Sequence, residues 1–119
     1  MYFTLLSAYL GKDDFKLVAE YANILKNSSN KYYSYYGIYT LALAERKLCG
    51  SSAQVERQYA EAIAFFRNKS FEDPKDSLAS IFRARLYTEQ GSIEKAKEIA
   101  NMLSEADKKS ILQYIEEHN

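Results

Sequence analysis

The chain of 119 residues holds one cysteine, one proline, one histidine, four glycines and no tryptophan. Each scarcity removes a class of protein. With Cys49 alone, no intrachain disulfide can form, which mildly favours a reducing compartment. Cys49 itself reads either as a redox or nucleophilic thiol or, more ordinarily, as a small buried hydrophobe near a helix end. So few glycines and a single proline exclude a loop-rich all-β protein. The histidine, His118, stands next to last, where a solvated chain end is its ordinary role. A nucleophile–histidine pair or a His/Cys metal centre is hard to build around it. There is also no glycine-rich phosphate loop. Glu20, Glu45, Glu56, Glu61 and Glu89 could pair in space, but each falls on a helix with a polar face. We therefore expect no catalytic residue, no metal, no cofactor and no enzyme activity.

Charge of one sign is missing too. Sixteen basic and sixteen acidic residues cancel, whereas a nucleic-acid binder usually shows a basic surplus because phosphate neutralisation supplies most of its affinity. A nucleic-acid partner is not expected. Long apolar runs are absent as well. Met1 to Leu10 is apolar, but it breaks at Gly11-Lys12-Asp13-Asp14, well short of the roughly 20 residues that span a bilayer. It lacks the basic leader of a signal peptide, so no membrane insertion by this segment is expected. It also lacks a helix cap, as though a helix were already under way, which predicts that the chain is a fragment of a longer one. The Asn-x-Ser triplets at Asn27 and Asn68 would accept glycans only on a secretory route. Nothing else supports one, and they read as chance occurrences. A cytoplasmic location is expected, including the cytosolic part of a membrane-anchored or multidomain protein.

What is present is helical periodicity. Apolar residues make up 47% of the chain, enough for a core. Residues 2–10 read as a short helix stopped by Gly11. Asp13 or Asp14 caps a helix over about 14–26, with Phe15, Val18, Ala22 and Leu25 on one face. Asn27 to Asn30 is a loop. Residues 31–49 carry two stripes, Ile38-Leu41-Ala44-Leu48 and Tyr35-Tyr39-Ala42-Cys49. A helix apolar on most sides is covered on most sides, so this one should be central. A β-strand competes for its tyrosine run, but there is no sustained alternation, and Leu41 to Lys47 favours helix.

Gly50 stops that helix and Ser51 or Ser52 caps the next, Ser51 with Gln54 fitting a capping box. This helix, 53–67, carries Val55, Tyr59, Ala62, Ile63 and Phe66, and a loop follows over 68–73. Asp73-Pro74 then reads as cap and first position of a helix over 74–90. That helix buries Leu78, Ile81 or Phe82, Ala84 or Arg85, and Leu86 or Tyr87. Gly91 and Ser92 turn the chain into 93–103, whose stripe is Ile93, Ala96, Ala100 and Leu103. Ser104 with Asp107 starts a last helix, 105–118, apolar at Ile111, Leu112, Tyr114 and Ile115 and polar on its other side.

The joints recur. Gly11, Gly50 and Gly91 stand 39 and 41 residues apart. The stripes Val18-Ala22-Leu25, Val55-Tyr59-Ala62 and Ala96-Ala100-Leu103 fall in register with nearly the same interval. Small residues recur in phase at Ala22, Ala62, Ala84, Ala96 and Ala100, where helices would cross closely. A single helical hairpin cannot bury both its apolar faces, so such units stack, and a one-sided final helix closes the stack.

On these residues the chain resembles the tetratricopeptide repeat (TPR) family along nearly its whole length. The third unit carries the likeness best. Ala84 stands at the small-residue position and Tyr87 at the tyrosine, with Gly91 in the turn, Ile93 at the following aromatic position and Ala96-x-x-x-Ala100 in the second helix. Pro74 matches the boundary proline. Leu5, Leu6, Tyr9, Phe15 and Ala22 fit the first unit, and Leu43, Gly50, Val55, Tyr59 and Ala62 the second. The departures are the missing tryptophan, Arg83 where the family has leucine, and a period above 34. HEAT-like repeats of about 40–47 residues are the competing fold.

The resemblance implies an all-α, right-handed superhelix of about three antiparallel hairpins (about 2–26, 31–67 and 74–103) with a capping helix at 105–118. It also implies a protein or peptide partner held along a concave surface of first helices. By position that surface would use Phe3, Ser7, Thr40, Lys47, Arg85, Thr88 and Glu89, with Tyr33 and Tyr36 on the same helix as Thr40. Tyrosine and arginine are typical hot-spot residues, and Lys47 and Arg85 could anchor a carboxylate. Each of these residues also has a plain structural reading, as a core tyrosine with an exposed hydroxyl or as a solvated charge. Two further roles are a self-associating unit, stacking as a homodimer through an N-terminal edge at Phe3, Leu6 and Leu10, and a peptide-sensing fragment of a regulator.

Overall fold

A computed structural model describes residues 15–50 and 52–118. The expected helix at 2–10, its Gly11 stop, the Asp13 or Asp14 cap and the proposed N-terminal edge lie outside them. Six α-helices and no strand occur among the described residues. They are α1 (Phe15–Lys26), α2 (Lys31–Cys49), α3 (Ala53–Glu72), α4 (Leu78–Gln90), α5 (Ile93–Asn101) and α6 (Glu105–His118). They belong to two compact units, Met1–Ala62 and Ile63–Asn119, divided inside α3.

In the first unit α1 packs along α2. Val18, Ala22 and Leu25 of α1 are buried, as are Tyr35, Tyr36, Tyr39, Ala42, Leu43 and Ala44 of α2. The connection between the two helices is tied from both sides. Asn30 caps α2 by accepting the Tyr33 N–H at 3.1 Å, and Ser34 Oγ donates to the Lys26 carbonyl at the end of α1 at 2.9 Å. Gly37, the glycine outside the phase of the other three, marks a close approach of the two helices. A Cβ at this position would stand 2.4 Å from Lys26 N and 2.7 Å from Ala22 O. Of the two stripes read on α2, the one through Tyr35, Tyr39 and Ala42 is buried, whereas Leu48, at the end of the other, is 50% exposed. At the start of α3, Ser52 Oγ accepts the Val55 N–H at 3.2 Å. Val55, Tyr59 and Ala62 complete the core of this unit.

The second unit begins with Ile63 and Phe66 of α3, both buried. Here the structure corrects two expectations. The segment 68–73, expected as a loop, is helical through Glu72. Ser70 holds its own chain by donating to the Phe66 carbonyl at 2.9 Å, and Lys69 pairs with Glu72 at 3.2 Å. Pro74 does not open the next helix. The residue before a proline is pushed out of the α region, so α3 ends at Glu72. Asp73 and Pro74 enter a turn closed by the Asp76 N–H on the Asp73 carbonyl at 3.1 Å, with aspartate and proline at the positions turns favour. Asp76 then accepts the Leu78 N–H at 3.0 Å, and α4 starts four residues later than expected.

From Ala79 to Gln90 every residue of α4 is buried or half-buried, so α4 is the central element of its unit. Of the paired options read for it, Phe82, Ala84 and Leu86 are the buried members. Ala84 joins Ala96, Ile99, Ala100, Ile111 and Ile115 in one cluster, flanked by Ile81, Tyr87, Ile93 and Leu103. Ile99 was not on the expected stripe of α5, and Leu112, expected on the apolar side of α6, is 39% exposed. Ser104 and Asp107 bond each other at the start of α6, at 3.2 Å between side chains.

The Gly91 joint is a Schellman ending. The Ser92 N–H donates to Tyr87 O at 2.9 Å and the Gly91 N–H to Thr88 O at 3.0 Å. Gly91 itself takes φ 90°, and Ser92 precedes α5 without a side-chain cap bond. A Cβ at Gly91 would meet open space, so only backbone strain opposes it. Gly91→Ala is expected to destabilise the protein by about 1–2 kcal/mol, read as a lower urea midpoint with an unchanged helical spectrum at low urea.

Candidate functional site

The candidate partner-binding residues sit on α2 and α4, and each unit places its own. On α2, Tyr33 is in the first turn and 42% exposed. Its neighbour Tyr32, 41% exposed, meets it edge to face at 6.2 Å and stacks on Tyr36 at 6.3 Å. Tyr36 is buried and its ring continues to Tyr39 at 6.3 Å. Thr40 is fully buried, and its hydroxyl has no hydrogen-bond partner among the described residues. The structure thus moves Tyr36 and Thr40 from surface to interior. The reason is the one that makes α2 rich in tyrosine, since a helix apolar on most sides is covered on most sides. Lys47 is exposed in the last turn of α2, where a cation complements the helix C-terminus.

Next to it, Arg46 was not among the candidates. It lies over the Tyr59 ring at 5.0 Å and pairs with Glu56 at 3.3 Å, tying α2 to α3 in the first unit. Its sequence signal was weak, because a guanidinium that spans to an aromatic ring one helix away leaves no mark in local periodicity.

On α4, Arg85 is the most built of the candidates. Its guanidinium lies 5.6 Å from the Phe82 ring on its own helix and 5.1 Å from the Tyr114 ring on α6. Tyr114 is in turn stacked on His118 at 3.9 Å, and His118 Nδ1 reaches the Tyr114 carbonyl at 2.9 Å. Cation–π contact of this kind stabilises by about 0.5–2 kcal/mol. It also holds the guanidinium against two rings of its own unit. Glu89, one turn along, is half-buried. Thr88 is buried with its hydroxyl donated to Ala84 O at 2.9 Å, so it serves the helix. Phe3 and Ser7 lie outside the described residues.

Arg83, noted in the sequence only as a departure from leucine, is half-buried, and its Nε is covered with no hydrogen-bond partner. Burial pushes its guanidinium below the ordinary arginine value. Tyr87 acts in the opposite direction, and the like charge of Arg67 acts in the same direction as burial.

No helix among the described residues is long and apolar enough to cross a membrane. Among the described residues the architecture is all-α, six helices and no strand. The profile of the tetratricopeptide repeat family matches residues 56–115, from α3 into α6 and just over half of the chain. The protein belongs to that family, which decides against the HEAT-like alternative. Proteins of this family generally mediate protein–protein interaction and are generally not enzymes. No curated protein and no solved structure matches the chain.

Proposed function

We propose that this protein is a non-catalytic interaction module. It binds a peptide or partner helix in a concave groove lined by the first helices of its hairpins, which are closed by the helix at 105–118. It acts as a scaffold or adaptor, and we place it in the cytoplasm. Arg85 and Glu89 on α4, with Tyr33 and Lys47 on α2, are the residues this reading uses. The observation that carries it is the setting of Arg85. Held between the Phe82 and Tyr114 rings, its side chain loses little further freedom when a carboxylate arrives, and pre-organisation is what converts contact into affinity.

The reading is tested with Arg85→Ala and Lys47→Ala, assayed separately for the partners captured by the immobilised protein. Neither substitution removes a core side chain, so the helical circular dichroism should be retained. Loss of one charge-assisted hydrogen bond is expected to weaken partner binding by about 1.5–3 kcal/mol, roughly tenfold to a hundredfold. An unchanged partner profile in both variants would sink the proposed groove.

A further inference from the structure

The second unit carries a pair of arginines that the groove does not use. Where α3 and α4 run side by side, the Phe66 and Phe82 rings meet at 5.7 Å and the Ser70 and Ser80 hydroxyls at 3.0 Å. As α3 advances from 66 to 70 its partners on α4 retreat from 82 to 80, so the two segments are antiparallel. One turn back along α3 from Ser70 is Arg67. One turn on along α4 from Ser80 is Arg83. The register brings the two residues to the same level of the seam, and Arg67 is near enough for its charge to act on Arg83.

Among the described residues, no ion pair joins either guanidinium to a carboxylate. The groups acting on Arg83 are the phenol of Tyr87 and the cation of Arg67. Its Nε is covered and unpaired. Tyr87 brings a further cation nearby, with Lys95 Nζ 5.5 Å from its ring centroid. Arg67 is exposed, its guanidinium 5.7 Å from the Phe71 ring. A half-buried cation beside a like charge is unfavourable unless an anion completes it, and a guanidinium matches a carboxylate or phosphate two-pronged.

We propose that Arg67 and Arg83 form a receptor for a single oxyanion, carboxylate or phosphate, carried by a protein partner. That the oxyanion is carried by a protein partner rests on the interaction-module reading; the anion site itself does not.

The experiment uses the full chain, with inorganic phosphate and a hexaglutamate peptide as probes against sodium chloride at matched ionic strength. The readouts are the side-chain Nε–Hε resonance of Arg83 by NMR and the thermal midpoint. A saturable movement of that resonance with a raised midpoint is expected, and the probe that saturates at the lower concentration identifies the phosphate or the carboxylate source. Arg67→Gln should weaken the response by about tenfold or more. Arg83→Leu should fold, melt above the wild type without a probe because an unpaired charge is gone, and lose the probe-induced rise. Arg83→Met serves the same purpose with an unbranched side chain. An Arg83 resonance unmoved by both probes overturns the inference, as does a probe-induced rise in Arg83→Met equal to that of the wild type. Loss of partner on Arg85→Ala with a silent Arg83 would overturn this inference alone. A responsive Arg83 with an unchanged partner profile would overturn the groove alone.

Discussion

Gly37→Ala should destabilise the first unit by about 2–3 kcal/mol, although alanine is the better helix former by about 1 kcal/mol. The two effects oppose each other, and the distances decide which wins. A Cβ at Gly37 would lie 2.4 Å from Lys26 N, 2.7 Å from Ala22 O and 2.9 Å from Leu25 C. All three are backbone atoms of the end of α1, so no rotamer change can clear them. The helices must separate or shift, and the buried contacts of Ala22 and Leu25 go with them. Such overpacking propagates because interiors are close-packed. Urea titration followed by circular dichroism and tyrosine fluorescence measures the loss. A Gly37→Ala variant as stable as the wild type would mean that α1 and α2 do not approach this closely. Gly37→Ser should behave as alanine does, because the obstruction begins at Cβ.

Phe82→Ala is expected to cost about 3–5 kcal/mol, the range for removing a buried aromatic ring. Phe82 is 1% exposed, its ring meets Phe66 at 5.7 Å, and it forms one of the two faces against which Arg85 rests. Removing it opens a void at the α3–α4 seam and releases one side of Arg85. Phe82→Leu separates the two roles. It retains most of the apolar volume and should cost only about 1–1.5 kcal/mol, yet it takes away the ring face. If the pinned arginine matters for recognition, the leucine variant loses affinity for a captured partner while its urea midpoint falls only slightly. An alanine variant that loses less than about 1 kcal/mol would contradict the buried role.

These two residues show how unevenly the sequence discloses its structure. Phe82 was legible only as one of a pair with Ile81, because a helix buried on several sides offers no single stripe to follow. The choice between the two belongs to α3, whose Phe66 ring receives Phe82. Gly37 gave no signal at all. A glycine inside a tyrosine-rich helix looks like a lapse in propensity until the backbone of the neighbouring helix is placed against it. Where the chain writes its local chemistry plainly, the expected local structure forms. Gly91 ends α4 left-handed, Ser104 with Asp107 opens α6, and Val55, Tyr59, Ala62 and Phe66 are all buried as their spacing requires. Asp73-Pro74 misled because the same dipeptide serves a helix start and a turn. The outcome depends on whether the preceding helix stops early or, as here, runs on to Glu72.

The candidate site divides in the same way. Residue type and helical position marked Arg85, Glu89, Tyr33 and Lys47, but nothing local distinguishes a tyrosine or threonine that faces solvent from one that another helix covers. Tyr36 and Thr40 are inside for that reason.

By itself, then, the sequence determined the class of fold, the punctuation of its helices and the recurrence of its joints. These follow from short-range rules: glycine tolerates positive φ, serine and aspartate accept orphan amides, and apolar residues repeat at the helical period. Only the tertiary structure decided which face of each helix is covered, why Gly37 must lack a side chain, and that Arg67 and Arg83 stand at the same level of one seam. Those are properties of two helices at once, set by interaxial distance and register, and no single stretch of chain encodes them.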